Sequence, residues 1–370
     1  TNAPILWTNV FVFLSTFLIA LIGVPIYGFY YGYGIEHLIA TIVTLGFAGM
    51  SITVGYHRLW SHKTFEAHPV LQFILALGGA FALQNSALHW SSDHRVHHKF
   101  VDQNDKDPYS AKKGFWFSHI GWMLRDYQGE SYGNYDNCRD LQKNKIVMWQ
   151  HKHYLLLTII MNFGIPIALG LWFNDLIGML LTVGVLRLAL SHHCTFFINS
   201  LAHIWGSQPY TDKNTAKDNG LLALLTYGEG YHNYHHIFES DYRNGIRWFQ
   251  FDPSKWFIKF CSFFGLTKNL RTVPFDKIQA AKWKMQKQRT ESRLLKLPNK
   301  QDLLVRVETE YQLLLSRLKL LTQAQKEYLQ AKKKPVSGLS VVELKEKYEQ
   351  LKSQLHSQQK QWQLMLMQCA

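Results

Sequence analysis

The chain has 370 residues, 47% of them apolar, with a formal charge of +14 and four cysteines. Cys138, Cys194, Cys261 and Cys369 show no C-x-x-C spacing, which excludes a disulfide framework and a cysteine-ligated zinc or iron–sulfur site. The mean hydropathy of −0.14 suggests a soluble protein. That average hides two unlike parts, because apolar residues crowd before about residue 200 and polar ones after about residue 280.

Ile5–Tyr31 carries no charge and is long enough to cross a bilayer. It lacks the basic start and small-residue cleavage site of a signal peptide, so it reads as an anchor. Residue 1 is threonine, and the true start is expected upstream. Leu38–Tyr56 is a second span, after a short turn holding Glu36 and His37. Tyr154–Phe173 and Leu176–Ile198 are a third and fourth, separated only by Asn174–Asp175, with Arg187 inside the last. Neither tight turn holds Lys or Arg, while the other connections are rich in both. The positive-inside rule then places the turns outside and the termini, loops and histidines in the cytoplasm. A fifth stretch, Pro69–Leu88, is interrupted by Gln72, Gln84, Asn85 and the Gly78–Gly79 pair. If it spanned, it would separate the histidines on its two sides, so an interfacial or partly buried helix is expected.

Those histidines come in motifs. WSSDHRVHHKF (90–100) places His94, His97 and His98 at offsets 0, +3 and +4, on one helical face. GEGYHNYHHIF (228–238) repeats the spacing with His232, His235 and His236. GYHRLWSH (55–62) adds His57 and His62, whose five-residue spacing turns an α-helix by about 500°, so the chain is expected to change direction between them. One such motif is a common accident of a polar helix end; three together point to metal, since neutral imidazole suits iron, zinc and copper. Asp93, Asp107 and Glu229 are candidates to orient the ligands from behind. His37, His68, His89, His119, His151, His153 and His356 read as surface or interfacial residues. His192–His193 lie in a span and so are more suspect than the others, with the structural reading still favoured over a functional one.

HRLWSH, DHRVHHKF, NSLAHIWG and GEGYHNYHH, in this order, resemble the histidine motifs of the membrane-bound fatty acid desaturases, in the acyl-CoA (stearoyl-CoA, delta-9 type) branch. The resemblance covers residues 1 to about 265. It implies a di-iron centre held by His57, His62, His94, His97, His98, His203, His232, His235 and His236, with Asn199 holding a metal-bound water; zinc would replace iron on overexpression. It implies O2-dependent insertion of a cis double bond into a fatty acyl-CoA. Gln84, Trp90 and Thr195 would line the bend of an apolar tunnel, and Asn85, Asp93, Lys112 and Lys113 would meet the head group. Two positions depart from the family: Ser92 stands where an arginine is frequent, and Phe196 where a tryptophan is. An alkyl hydroxylase, an acyl-lipid desaturase and, in a different class, a histidine-rich metal transporter remain alternatives.

The tail carries 18 Lys and Arg against 8 Asp and Glu from residue 279 onward, a net +10. Leu304, Val307, Tyr311, Leu314, Leu318, Leu321, Gln325 and Tyr328 step alternately by three and four, as do Val341, Leu344, Tyr348, Leu351, Leu355, Gln358, Trp362 and Met365. Lys332–Pro335 and Ser337–Gly338 break the helix between the two seams. The expected fold is all-α: four transmembrane helices, an interfacial helix, a cytoplasmic histidine-rich di-metal domain and a C-terminal helical hairpin. The expected boundaries are 1–265, a linker at 266–300, and an antiparallel coiled-coil-like hairpin at 301–370, available for self-association. No His-Pro-Gly-Gly haem motif occurs in the sequence, so electrons are expected from a separate ferredoxin/flavin reductase or cytochrome b5-type protein. The reading places the chain in a bacterial inner membrane, with no nucleic-acid partner.

Overall fold

A computed structural model describes residues 3–129, 132–296, 298, 301–333 and 340–369. They form two compact units, the first closing at Thr272 and the second comprising 273 onward with residues 209–212.

The first unit begins with helices α1 (Trp7–Tyr31) and α2 (Ile35–Ser61), both long and apolar enough to span a bilayer. Residues 51–61 of α2 run as a π-helix and are all buried. Helix α3 (Pro69–Ala82) packs against this stretch because Gly78 and Gly79 carry no side chain. A Cβ on either would overlap Ser51 or the Tyr56 ring. The chain then bends by 80° into α4 (Ala87–Phe100). Leu83 and Asn85 make that bend in the left-handed region, at φ 52° and 72°, and the Ser86 hydroxyl caps α4 by accepting from His89 N–H. α5 (Lys145–Lys152) follows, then the spans α6 (Tyr154–Phe173) and α7 (Leu176–Ile204). After α7 come the short helices α8 (Gly220–Leu225), α9 (His232–Ile237) and α10 (Pro253–Phe263). A two-stranded antiparallel pairing of Glu66–Ala67 with Thr267–Lys268, absent from the sequence reading, ties the end of the unit to the exit of α2.

Arg187 lies fully buried in α7. It donates to the carbonyls of Phe81 (2.8 Å) and Val183 (3.0 Å) and to Asn162 Oδ1 (2.8 Å). His192 Nε2 lies 3.1 Å from the carbonyls of both Ala82 and Leu83. Together they occupy the C-terminal carbonyls of α3, which a helix end otherwise leaves unpaired.

The second unit holds α11 (Phe275–Leu294), α12 (Gln301–Lys333) and α13 (Val341–Gln368). Lys347 pairs with Glu327, Arg317 donates to the Gln354 carbonyl, and Tyr311 meets Trp362, so α12 and α13 run antiparallel. Of the expected break at Lys332–Pro335 and Ser337–Gly338, Lys332 and Lys333 still belong to α12, and the rest lies outside the described residues. The expected linker differs from the structure, because α11 occupies most of 266–300. It brings Trp283 and Leu294 into the same core as Leu314 and Trp362, and Gln286 accepts from the Trp362 indole N–H at 2.8 Å.

Candidate metal centre and adjoining cavity

The nine histidines of the motifs gather into two groups, His57, His62, His94, His98 and His235 in one, and His97, His203, His232 and His236 in the other. Within each group the candidate ligand atoms lie within 4.8 Å of one another. Each H-x-x-H-H motif is shared between them. Its first and last histidines face one group and its middle histidine crosses to the other, so His97 joins His232 and His236 while His235 joins His94 and His98. The two H-x-x-H-H segments therefore lie against each other with near two-fold reciprocity.

His57 and His62 meet for a reason the α-helical reading missed. The π-helical run carries i→i+5 hydrogen bonds, and His62 N–H donates to the His57 carbonyl at 3.1 Å. The wider turn brings residues five apart together, with ring centroids 4.9 Å apart.

The donor set fits metal ions. Two ligands at right angles on an ion with bonds of about 2.1 Å stand about 3 Å apart. In the first group Nε2 atoms meet at 2.8 Å (His62–His94), 2.9 Å (His57–His235) and 3.0 Å (His98–His235). In the second they meet at 3.1 Å (His203–His232 and His232–His236). Several Nδ1 atoms face acceptors on the opposite side. His97 Nδ1 contacts Asp107 Oδ1 at 2.8 Å, and His98 Nδ1 contacts Glu239 Oε2 at 3.2 Å. His203 Nδ1 contacts the Thr215 hydroxyl at 2.8 Å, and that hydroxyl donates to Asp102. Glu229 Oε2 stands 2.8 Å from His57 Nδ1, off the line of its N–H. With the proton on Nδ1, the Nε2 lone pairs converge with nothing to share unless a cation sits among them. Burial, then repulsion among neighbouring imidazoles, holds His94, His232, His235 and His236 well below the usual histidine range. Burial also takes His98 down to about 4 against the opposing pull of Glu239. Neutral imidazole is the form that binds metal.

Glu229 is fixed in turn by Arg58, whose Nε and Nη2 donate to Oε1 at 3.1 and 2.9 Å, and by the Asn244 amide. Burial alone would raise this carboxyl, but the facing His57 and the Arg58 guanidinium more than offset it and hold it below the usual range. Of the three carboxylates picked from sequence, Asp107 and Glu229 stand behind histidines of the groups. Asp93 faces His89 (3.4 Å) and Gln128 instead. Glu239, Asp102, Thr215 and Tyr109 were not anticipated, since they reach the histidines across the fold.

A cavity of about 360 Å³ adjoins the histidines. Gln84, Asn85, Trp90, Asp93, Thr195 and Asn199 all line it, as do Tyr109 and Phe196. The Gln84 amide donates to the Thr195 hydroxyl at 2.9 Å. Trp90 stacks on His94, and Tyr109 OH lies 3.2 Å from His94 Nδ1, so cavity wall and histidine cluster share side chains. Trp122 Nε1 is buried in the same wall with no partner among the described residues. Lys112 and Lys113 do not line the cavity; Lys113 lies over the Phe117 ring. Ser92 is buried and donates to Asn137. His37, His89 and His119, expected at the surface or an interface, are each buried against a polar partner: Asp175, the cavity residue Asp93, and Ser200 with His193, respectively.

Residues 33–259 match the family model described as fatty acid desaturase. The chain is 47% identical over 243 residues to "Probable acyl-CoA desaturase" of Schizosaccharomyces pombe, an alignment covering 65% of this chain and 50% of that one. It is 38% identical to "Acyl-CoA desaturase 1" of Saccharomyces cerevisiae (71% and 53%) and 38% identical to "Acyl-CoA Delta-9 desaturase" of Acheta domesticus (74% and 77%). The chain thus spans about half the length of the two yeast relatives. With the histidine groups inside the matched segment, the chain belongs to the fatty acid desaturase family.

Proposed function

We propose that this protein is an O2-dependent acyl-CoA desaturase that inserts a cis double bond, at the delta-9 position, into a saturated chain. The observation that carries the reading is the shared wall, in which Trp90, Tyr109 and Asn199 border the cavity while Trp90 and Tyr109 also touch His94. The nine histidines would hold two iron ions. When bound, such a pair supplies the oxidising power to remove two hydrogens from an unactivated chain with O2 and two electrons, which no side chain provides.

The chain's own residues position and exclude. The Gln84–Thr195 hydrogen bond fixes the floor of the cavity beside the bend at Leu83–Asn85. Trp90 holds the acyl chain against the His94 side. Asn199, four residues before His203, would hold a water in the four-histidine group. The Trp122 N–H, with Asn85 and Asp93, offers polar contacts to the carrier end, and Lys112 and Lys113 would meet the head group only from outside the cavity. One Acheta domesticus relative is named for delta-9, while two others are named for delta-11 and delta-12; the double-bond position in the product decides among them. Electrons would come from a separate ferredoxin/flavin reductase or cytochrome b5-type protein. We place the histidine face in the cytoplasm; the three relatives named above are eukaryotic and lend no support to a bacterial inner membrane.

Expression in a cell lacking its own desaturase, followed by fatty acid methyl ester analysis and metal quantification, tests the reading. New monounsaturated chains and about two iron equivalents per protein are expected. Hydroxylated chains without unsaturation would transfer the assignment to a hydroxylase.

A further inference from the structure

Among the described residues, nothing in the first unit covers an apolar face of helices α8 and α10. On α10, Ser254, Ile258 and Cys261 point inward, while Trp256, Phe260, Phe263 and Phe264 are 44%, 59%, 74% and 66% exposed. On α8, Leu222 and Ala223 are buried, whereas Leu224 and Leu225 are 51% and 53% exposed. Soluble proteins rarely expose so much contiguous aromatic and aliphatic surface without a binding role.

Their attachment to α2 fixes their depth. Tyr227, just after α8, donates to the Leu45 carbonyl at 3.2 Å, and its ring lies against Gly49. The Ser254 hydroxyl of α10 meets Thr53 Oγ1 at 2.7 Å and the Tyr227 carbonyl at 3.0 Å. At 1.5 Å per residue, Leu45 lies about 15 Å and Thr53 about 27 Å along α2 from Ile35. Both distances fall within a hydrocarbon core of about 30 Å that begins near the outer turn. The exposure of α2 agrees. Leu38, Ile39, Ile42 and Val43 of its outer half are exposed, whereas every residue from Ser51 to Ser61 is buried. The inner half of the span is sheathed by other protein segments, α3 and α10 among them, and those segments must themselves meet the lipid.

We infer that α8 and α10 lie in the plane of the cytoplasmic leaflet, with their leucine and aromatic faces in the phospholipid acyl region. The anchor points, about 3 Å (Thr53) and about 15 Å (Leu45) inside the inner edge of such a core, bracket the depth of in-plane amphipathic helices, about 5–10 Å. Lys259, its amine 5.3 Å from the Phe263 ring, is placed to reach the headgroups. The first unit then meets the bilayer through four spans plus a skirt made by α3, α8 and α10. The inference rests on the spans and is independent of the desaturase reading.

The test uses the full chain in nanodiscs of phosphatidylcholine and phosphatidylglycerol, with the photoreactive residue benzoyl-phenylalanine replacing Phe263 or, separately, Leu224. Position 42 in α2 serves as the lipid-facing control and position 139, in an exposed loop, as the solvent control. Irradiation is expected to add one phospholipid mass at 263 and 224 with a yield within about threefold of that at 42, and none at 139. If position 42 gives lipid adducts while 263 and 224 give none, the inference is overturned. Cross-linking of 263 and 224 to a second copy or another protein in place of lipid overturns it equally.

Discussion

Trp90 stacks on His94 with ring centroids 4.8 Å apart and planes 23° apart. The same indole lines the cavity, so one side chain both orients a candidate ligand and bounds the space for the substrate. Trp90→Phe, which retains a ring over His94, is expected to keep the metal and most of the turnover. Trp90→Ala removes the support and enlarges the cavity, and turnover is expected to fall at least about tenfold, as for other outer supports of ligands. Equal activity of the alanine variant and the parent, measured by product formation per bound metal, would remove Trp90 from both roles.

The exchange of middle histidines makes a sharper prediction. His235→Ala takes a ligand from the group that holds His94 and His98 of the other motif, and His97→Ala takes one from the group that holds His232 and His236. Each variant is expected to lose activity and to hold fewer than two metal ions, with the deficit relieved by adding metal in excess. A variant that keeps two ions and full turnover would exclude that residue from the site.

How much of this was legible in the sequence depends on the range of the contact. The H-x-x-H-H and H-x-x-x-x-H spacings pointed to metal because they are local. The division of the nine histidines into five and four was not readable, since helical periodicity gives a shared face and says nothing about which partner crosses it. His57 and His62 came together through a π-helical run that α-helical geometry cannot anticipate. Asp107 lies ten residues from His97 and Glu229 beside the third motif, and both were found. Glu239 and Asp102, which act through the fold on His98 and Thr215, were not. α11 was read as a linker because its polar composition hides the few residues, Trp283 and Leu294 among them, that enter a core.

Asp140 ties α4 to the exit of α2. Arg95 reaches both its oxygens, at 2.8 and 3.0 Å, and also the carbonyls of Trp60 and Ser61, while Lys63 adds a third contact to the carboxylate. Burial alone would raise this carboxyl, but Arg95 and Lys63 overcome that and hold it well below the usual range. A depressed folded-state value means the contribution is complete above the unfolded value, near 4, and is lost as pH falls below it. Asp140→Asn is expected to lower Tm by about 2–4 °C between pH 5 and 8, with the gap to the parent closing below pH 4. A gap that instead widens in acid would contradict the sign.

Arg187 has no carboxylate partner among the described residues; three carbonyl-type oxygens and the face of Phe81 receive its charge. Arg187→Leu would leave the Phe81 carbonyl and Asn162 without their donor inside the membrane region, at about 1–3 kcal/mol each. Because those groups end α3 beside Gln84, the bend at Leu83–Asn85 is expected to loosen. Thermal unfolding should come earlier, and the spread of double-bond positions in the product should widen. Arg187→Lys, with one donor centre in place of a fork, should rescue only part of either. Unchanged stability in Arg187→Leu would mean water or lipid satisfies the carbonyls.

The second unit has its own core, with Trp362 fully buried and its indole N–H held by Gln286 of α11. A fragment of residues 273–370 is therefore expected to be helical and to melt cooperatively. Trp362→Ala should cost about 3–5 kcal/mol, enough to abolish that transition in a unit of this size. A cut near residue 300 would strand α11 away from its partners and expose Trp283. A cut after Thr272 spares Arg271, whose N–H bonds the Thr64 carbonyl, and the strand at Thr267–Lys268. Protein ending at Thr272 is expected to retain its metal and its turnover when electrons are supplied in excess. Loss of metal on that truncation would show that the helical tail supports the histidine fold, and a docking or self-association role for its +10 charge would then lose its basis.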